Sequence, residues 1–223
     1  MPIHLIGASH AKAQSSPSGK PETDVQRNYV DTLTRVIRDV RAEYVAEEYS
    51  EEAEKESKRL SLTPRVAAEN GIEHRFCDPT QEKRKLIGYV GQQELHLHIS
   101  MHDPDWNISN DEARRKSWAL DIGKYFERRE CSWLDKIADL KEKTLVFVCG
   151  DAHVDTFGKR LESAGWQVHV AARGIGITNE DRRDVAEGLQ YLKEHPGILN
   201  EDWFSRIYPN AEQGNPSNDN PQK

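Results

Sequence analysis

Residues 145–153, LVFVCGDAH, are an unbroken apolar run closed by Gly-x-x-His, and residues 3–10, IHLIGASH, close in the same way. An apolar run without alternation fits a strand covered by helices on both faces, the situation of a parallel sheet. Working outward, the first run enters a Ser/Gly/Pro-bearing loop, SSPSGKPETD (15–24), longer than an ordinary turn and suited to a lid. From Asp24, the residues Val25, Tyr29, Leu33, Val36, Ile37 and Val40 keep the spacing of one helical stripe. YVAEEY (44–49) reads as the second strand. Ser50 caps a helix with Glu51, Glu52 and Glu54 at its start and Lys58 and Arg59 at its end, the charge order that complements a helix dipole. Thr63 is placed as the cap of a further helix, with Pro64 at its first position and Asn70-Gly71 as its stop, before a third strand, IEHRFCDP (72–79).

Residues 81–140 read as mostly helical, clearest at 111–140, with GQQELHLHISMHDPDWN (91–107) as an irregular stretch. Beyond LVFVCG come a helix, VDTFGKRLESAG (154–165), a strand, WQVHVAA (166–172), and a last helix from about 179 to 194. This alternation predicts an α/β fold with a largely parallel central sheet flanked by helices. The expected organisation is a single domain over 1–208, with 81–140 as a mostly helical insertion. Residues 209–223 have no apolar content to bury and are expected to be a disordered tail.

Charged residues make up 31% of the 223, and the formal net charge of -7 disfavours nucleic acid or an anionic membrane as the main partner, because both are polyanions. The opening residues, MPIHLIG, lack the basic start and cleavage site of a signal peptide, and no run approaches the roughly 18 apolar residues of a membrane span, so a cytoplasmic protein is expected. Three widely spaced cysteines, Cys77, Cys131 and Cys149, read as reduced thiols, and Cys77 and Cys149 as small core residues.

In a parallel sheet the carboxyl ends of the strands share one edge, where ligands collect. That edge would gather His10 after the first strand, Glu47 and Glu48 at the end of the second, Asp78 after the third, and His153 after the run at 145–150. Gly7 and Gly150 permit a sharp turn or a close backbone approach. Two imidazoles and a carboxylate suit either zinc-type coordination with an open water position or metal-free acid–base chemistry. Composition alone yields roughly 0.6 Gly-x-x-His spacings in such a chain. Three occur, but Gly71–His74 precedes its strand and cannot present His74 at the same edge. The plainer alternative is a pair of strand-to-helix turns in which each histidine bonds a neighbouring carbonyl.

Two other groupings bear on chemistry. On a strand, HLHISMHD (96–103) would set His96 and His98 on one face with His102 and Asp103 close by, a reserve metal site; a surface hairpin has the same letters. ARGIGITNED (172–181) lacks the third glycine of a dinucleotide fingerprint, and Thr178 with Asp181 reads as a helix cap box. Arg173, at the strand end, is placed to bind an anionic substrate group. Trp118, Tyr125, Phe126 and Trp133 fall at helical spacings and read as core.

IHLIGASH, VAEEY, RRECSWLDKI and VFVCGDAHVDTFGKRLESAGWQV, taken together and in that order, resemble the superfamily that joins TraB/PrgY, GumN and Tiki proteins to the ChaN and erythromycin-esterase groups. The resemblance covers most of residues 1–170 and marks Gly7, His10, Glu48, Arg129, Trp133, Gly150 and His153. It departs at the tandem Glu47-Glu48, where the family has an apolar residue before the glutamate, and at Glu130, where the family tends to have Asn or Asp. The resemblance implies a hydrolase of peptide or ester bonds assisted by a divalent metal ion. His10, His153 and Glu48 would be ligands, Glu48 or His153 would handle the proton of the attacking water, and Arg129 would stabilise the oxyanion. Glu47, Asp78 and Arg173 are then expected on the substrate side. The superfamily also holds haem binders and an esterase that looks metal-independent, so a metal-free version with one histidine as base stays open. The expected partner is a small-molecule or peptide substrate, with no nucleic acid and no membrane; a homo-oligomer is compatible. The competing reading is a non-catalytic regulatory protein that keeps the pocket for a ligand or partner.

Overall fold

The structure is a computed structural model that describes residues 2–102, 109–209 and 211. The amino-terminal part contains β1 (Pro2–Ala8), a π-helical turn (His10–Gln14), β2 (Ser15–Ser16), α1 (Asp24–Val40), β3 (Tyr44–Glu47), α2 (Glu51–Ser57), β4 (Leu60–Ser61), α3 (Thr63–Glu69) and β5 (Glu73–Phe76). The middle carries α4 (Gln81–Leu86), α5 (Gln92–His102), α6 (Asn110–Leu120), a second π-helical turn (Asp121–Tyr125) and α7 (Phe126–Ile137). Then follow β6 (Leu145–Gly150), a 3-10 turn (Asp151–His153), α8 (Val154–Ser163), β7 (Gln167–Ile175), α9 (Asn179–Glu194) and α10 (Trp203–Ile207). The chain divides into two compact units, one of Met1–Asp78 with Glu130–Arg182, the other of Pro79–Arg129 with Arg183–Lys223. No helix among the described residues is long and apolar enough to cross a membrane. Apart from residues 209 and 211, the tail expected to be disordered lies outside the described residues.

The first unit is an α/β structure around a five-stranded sheet of order β5-β3-β6-β1-β7, parallel throughout. The strands alternate their side chains between the two faces, and each face meets helices. Ile6, Ala8, Val45, Val146 and Val148 pack against Tyr29, Leu33, Val36 and Ile37 of α1 and Val66 and Ala67 of α3. Ile3, Leu5, Ala46, Leu145, Phe147 and Cys149 pack against Trp133 and Ile137 of α7 and Phe157 and Leu161 of α8. Both faces of β1 and β6 are therefore apolar, which is why their sequences run without alternation. Helix α1 begins at a capping box made by Thr23 and Gln26, and Ser50 caps α2.

Two local expectations are corrected. Thr63 is the first residue of α3 rather than its cap; Leu62 precedes it without a side-chain cap, and the Thr63 hydroxyl donates to Glu47 instead, because a buried carboxylate must be satisfied. Residues 92–102 form a helix, so His96 and His98, two positions apart, point away from one another; Asp103 of that reserve site lies outside the described residues. The loop after the first strand starts with Ser15 and Ser16 pairing antiparallel to Ser61 and Leu60, and its residues from 17 onward stay at the surface.

In the second unit, α5 and α6 pack together with the carboxyl-terminal segment around Tyr89, Val90, Leu95, Ile99, Leu120, Tyr125, Trp203 and Phe204. Gly188 of α9 lies so close to Trp118 that a β-carbon there would overlap it. Arg114 of α6 pairs with Asp184 and Glu187 of α9.

Candidate functional site

Three adjacent strands, β3, β6 and β1, deliver the candidate side chains at their carboxyl ends. Beyond Ala8 the backbone turns at Ser9, whose N–H donates to the Ile175 carbonyl at 2.8 Å and whose side chain accepts from the Lys12 N–H, and the π-helical turn begins with His10. Beyond Gly150 a single 3-10 turn ends at His153, which stands at the N-cap of α8. Glu48 extends β3 by one residue, its N–H donating to the Val148 carbonyl at 2.8 Å.

Alternation along β3 settles the two glutamates. Val45 faces α1 and α3, Ala46 faces α7 and α8, so Glu47 falls on the first side and Glu48 on the second. Glu48, 2% exposed, lies between the two imidazoles: Oε2 is 3.1 Å from His10 Nε2 and Oε1 is 3.6 Å from His153 Nε2. The Gly150 N–H donates to Glu48 Oε2 at 2.6 Å. Gly150 has φ -57° and ψ 138°, which any residue can adopt. Closeness is what favours glycine, since a β-carbon would stand 3.3 Å from both Glu48 Oε2 and His10 Nε2 and press on them. At Gly7 a β-carbon would overlap the Asp151 carboxylate and Val154, so this glycine lets the turn that carries His153 dock on β1.

His153 is held from behind. The Glu130 carboxylate accepts from its Nδ1–H at 2.9 Å, from the Thr156 hydroxyl, and from Arg160 Nε–H at 3.3 Å. The His153 ring also meets Trp133 edge to face at 4.8 Å. With Nδ1 committed to Glu130, Nε2 is the nitrogen turned to Glu48. In the sequence Glu130 stands out as a departure from the family pattern, without a role. Its signal was position: Glu130, Trp133 and Ile137 occupy one face of α7, so a charge stands in an apolar stripe, and Glu130 has no exposed surface.

Glu47 is fully buried and accepts from Gln14 Nε2, from the hydroxyls of Ser61 at 2.8 Å and Thr63 at 2.7 Å, and pairs with His74 Nε2 at 2.8 Å. This network lies on the face of the sheet opposite Glu48. Asp78 is 4% exposed, its Oδ1 accepting from Trp133 Nε1–H at 3.3 Å. Arg173 pairs with Asp155 at 2.7 Å and reaches the Asp151 carbonyl at 3.3 Å. Arg129 belongs to the second unit, where its guanidinium lies 5.5 Å from the Tyr89 ring centre. The structure thus joins His10, Glu48, His153 and Gly150 in one cluster, sets Glu47 in another, and engages Asp78 with Trp133 and Arg173 with two aspartates. Thr178 and Asp181 form the reciprocal cap box.

Burial raises the Cys149 thiol well above its ordinary value, with Glu48 and Glu130 adding to the effect, so Cys149 stays protonated and is no nucleophile. Burial likewise pushes Cys77 up to about 12. Among the described residues, no group of three or more His, Cys, Asp and Glu side chains is arranged to hold a metal ion. What the cluster can do with its own atoms is take up, hold and return a proton: the His10 side chain keeps 33% of its surface, through its ring carbons, while both of its ring nitrogens are buried with Glu48 and His153. Comparison of the chain with protein-family models, with curated proteins and with solved structures returned no match.

Proposed function

We propose that the protein is a hydrolase of acyl bonds, ester or peptide, in which His10, Glu48 and His153 act as one acid–base unit. The observation that carries this reading is the Glu48 carboxylate, 2% exposed and bracketed by two imidazoles. Burying a carboxylate between two imidazoles is costly, and such clusters gather at functional sites; Glu47, satisfied by two hydroxyls and an amide as well as by His74, is the structural contrast. In the proposed reaction the turn carrying His10 shifts enough to uncover Nδ1, which takes a proton from water as the water oxygen bonds to the acyl carbon, while Glu48, facing Nε2, stabilises the imidazolium that forms. The proton then passes from His10 to the departing oxygen or nitrogen as the acyl bond breaks. The Gly150 N–H holds Glu48 in place, and Glu130 fixes the ring of His153, which faces the other Glu48 oxygen.

A second reading is favoured by the bond from Glu130 to His153 Nδ1, the outer partner that orients imidazoles toward a cation. His10, His153 and Glu48 are donors of the right kind for a divalent ion, which would supply a more acidic bound water, but they are not arranged to hold one as they stand and would have to open around it. Hydrolysis of a panel of nitrophenyl esters and fluorogenic peptides tests the proposal. Turnover of at least one class is expected, falling about 100-fold or more in His10→Ala, Glu48→Ala and His153→Ala. Turnover that survives all three substitutions would remove the proposal. Elemental analysis of the same preparations, with deep chelation, separates the two readings: only the second expects the parent to hold about one equivalent more metal than each of the three variants.

A further inference from the structure

Helix α5 ends in His98 and His102, one helical turn apart, with ring centres 5.8 Å apart and planes inclined by 36°. Residues spaced by four lie one above the other on a helix, the arrangement by which paired histidines hold a zinc ion. Two imidazole nitrogens bound to a common ion at roughly 2 Å set their ring centres roughly 5 Å apart. The observed separation is thus within a small side-chain adjustment of chelation. Among the described residues neither ring forms a hydrogen bond or ion pair, and His98 is half-buried while His102 is exposed. Glu94, one turn before His98, is engaged by the Tyr208 hydroxyl at 2.6 Å and does not join them.

We propose that His98 and His102 form a bidentate site for a borderline divalent transition ion, zinc, nickel or copper, whose remaining positions are filled by water. The site lies in the second unit, is separate from the His10–Glu48–His153 cluster, and does not depend on that cluster's function. Imidazole donors select such ions over calcium or magnesium, which take oxygen ligands. An ion held at both rings ties together the last turn of α5 and stabilises the folded chain in proportion to its occupancy.

Nickel alone, titrated into the full chain and followed by calorimetry, tests this. One equivalent is expected to bind the parent, to survive in His10→Ala, and to be lost or weakened at least about tenfold in both His98→Ala and His102→Ala. Because His98 is half-buried and its substitution can disturb α5, the exposed His102→Ala variant is decisive, with far-UV circular dichroism as the check on folding. Absence of binding in the parent, loss of the equivalent in His10→Ala, or unchanged stoichiometry and affinity in His102→Ala would each overturn the assignment.

Discussion

Glu47 and Glu48 are neighbours with opposite surroundings, one ringed by Gln14, Ser61, Thr63 and His74, the other lying between His10 and His153. Their substitutions should therefore separate stability from chemistry. Glu47→Ala strands several buried donors and is expected to cost about 3 kcal/mol in urea unfolding. Glu48→Gln keeps the shape and is expected to leave the unfolding midpoint near the parent's while removing most hydrolysis. A shared loss of stability would contradict the division. Gly150→Ala makes a finer probe: its backbone angles suit alanine, so the only new feature is a methyl group 3.3 Å from Glu48 Oε2 and His10 Nε2. Displacing that pair by tenths of an ångström is expected to lower turnover roughly tenfold with little change in melting temperature. The candidate residues His10, Glu48, His153 and Gly150 were legible because each follows an apolar run at a fixed offset. Glu130 was less so, because its partner His153 is 23 positions away and its one local signal is a charge standing in the stripe of Trp133 and Ile137.

At the scale of elements, β1 and β7 bring His4 and His169 together, rings stacked at 5.1 Å. Burial first, and the nearby His169 second, hold the His4 imidazole below its ordinary value. The unfolded chain therefore takes up this proton first as pH falls, and the proton binds the fold less readily. The His4 contribution is absent above the unfolded value of about 6.5 and destabilises as pH drops below it toward the folded value. Urea midpoints measured at neutral and mildly acid pH should decline with acid, and His4→Gln should flatten part of that slope; an unchanged slope would exclude the pair as a source. Helix α1 was legible from its stripe and its capping residues. Helix α5 was not, because HLHI alternates like a strand over four residues, whereas the burial that decides the matter, Leu95 with Ile99, follows the helical spacing of four. Tertiary packing chose between two periods that so short a segment leaves open.

For the whole molecule, alternating strand and helix signals were enough for an α/β fold with a parallel sheet, since apolar runs of this length need cover on both faces. The order β5-β3-β6-β1-β7 was not readable, because strand neighbours are selected by packing across the sheet, beyond any local pattern. That order is what brings His10 within 3.1 Å of Glu48 from 38 positions away. The proposed function rests on these two groups acting as one unit, and a double-mutant cycle measures that coupling directly. Rates on the best substrate are needed for the parent, His10→Ala, Glu48→Gln and the double variant. The account predicts that the double variant is about as slow as the slower single one, because either change already disables the unit. Losses that simply multiply, or a Glu48→Gln variant as fast as the parent, would contradict it.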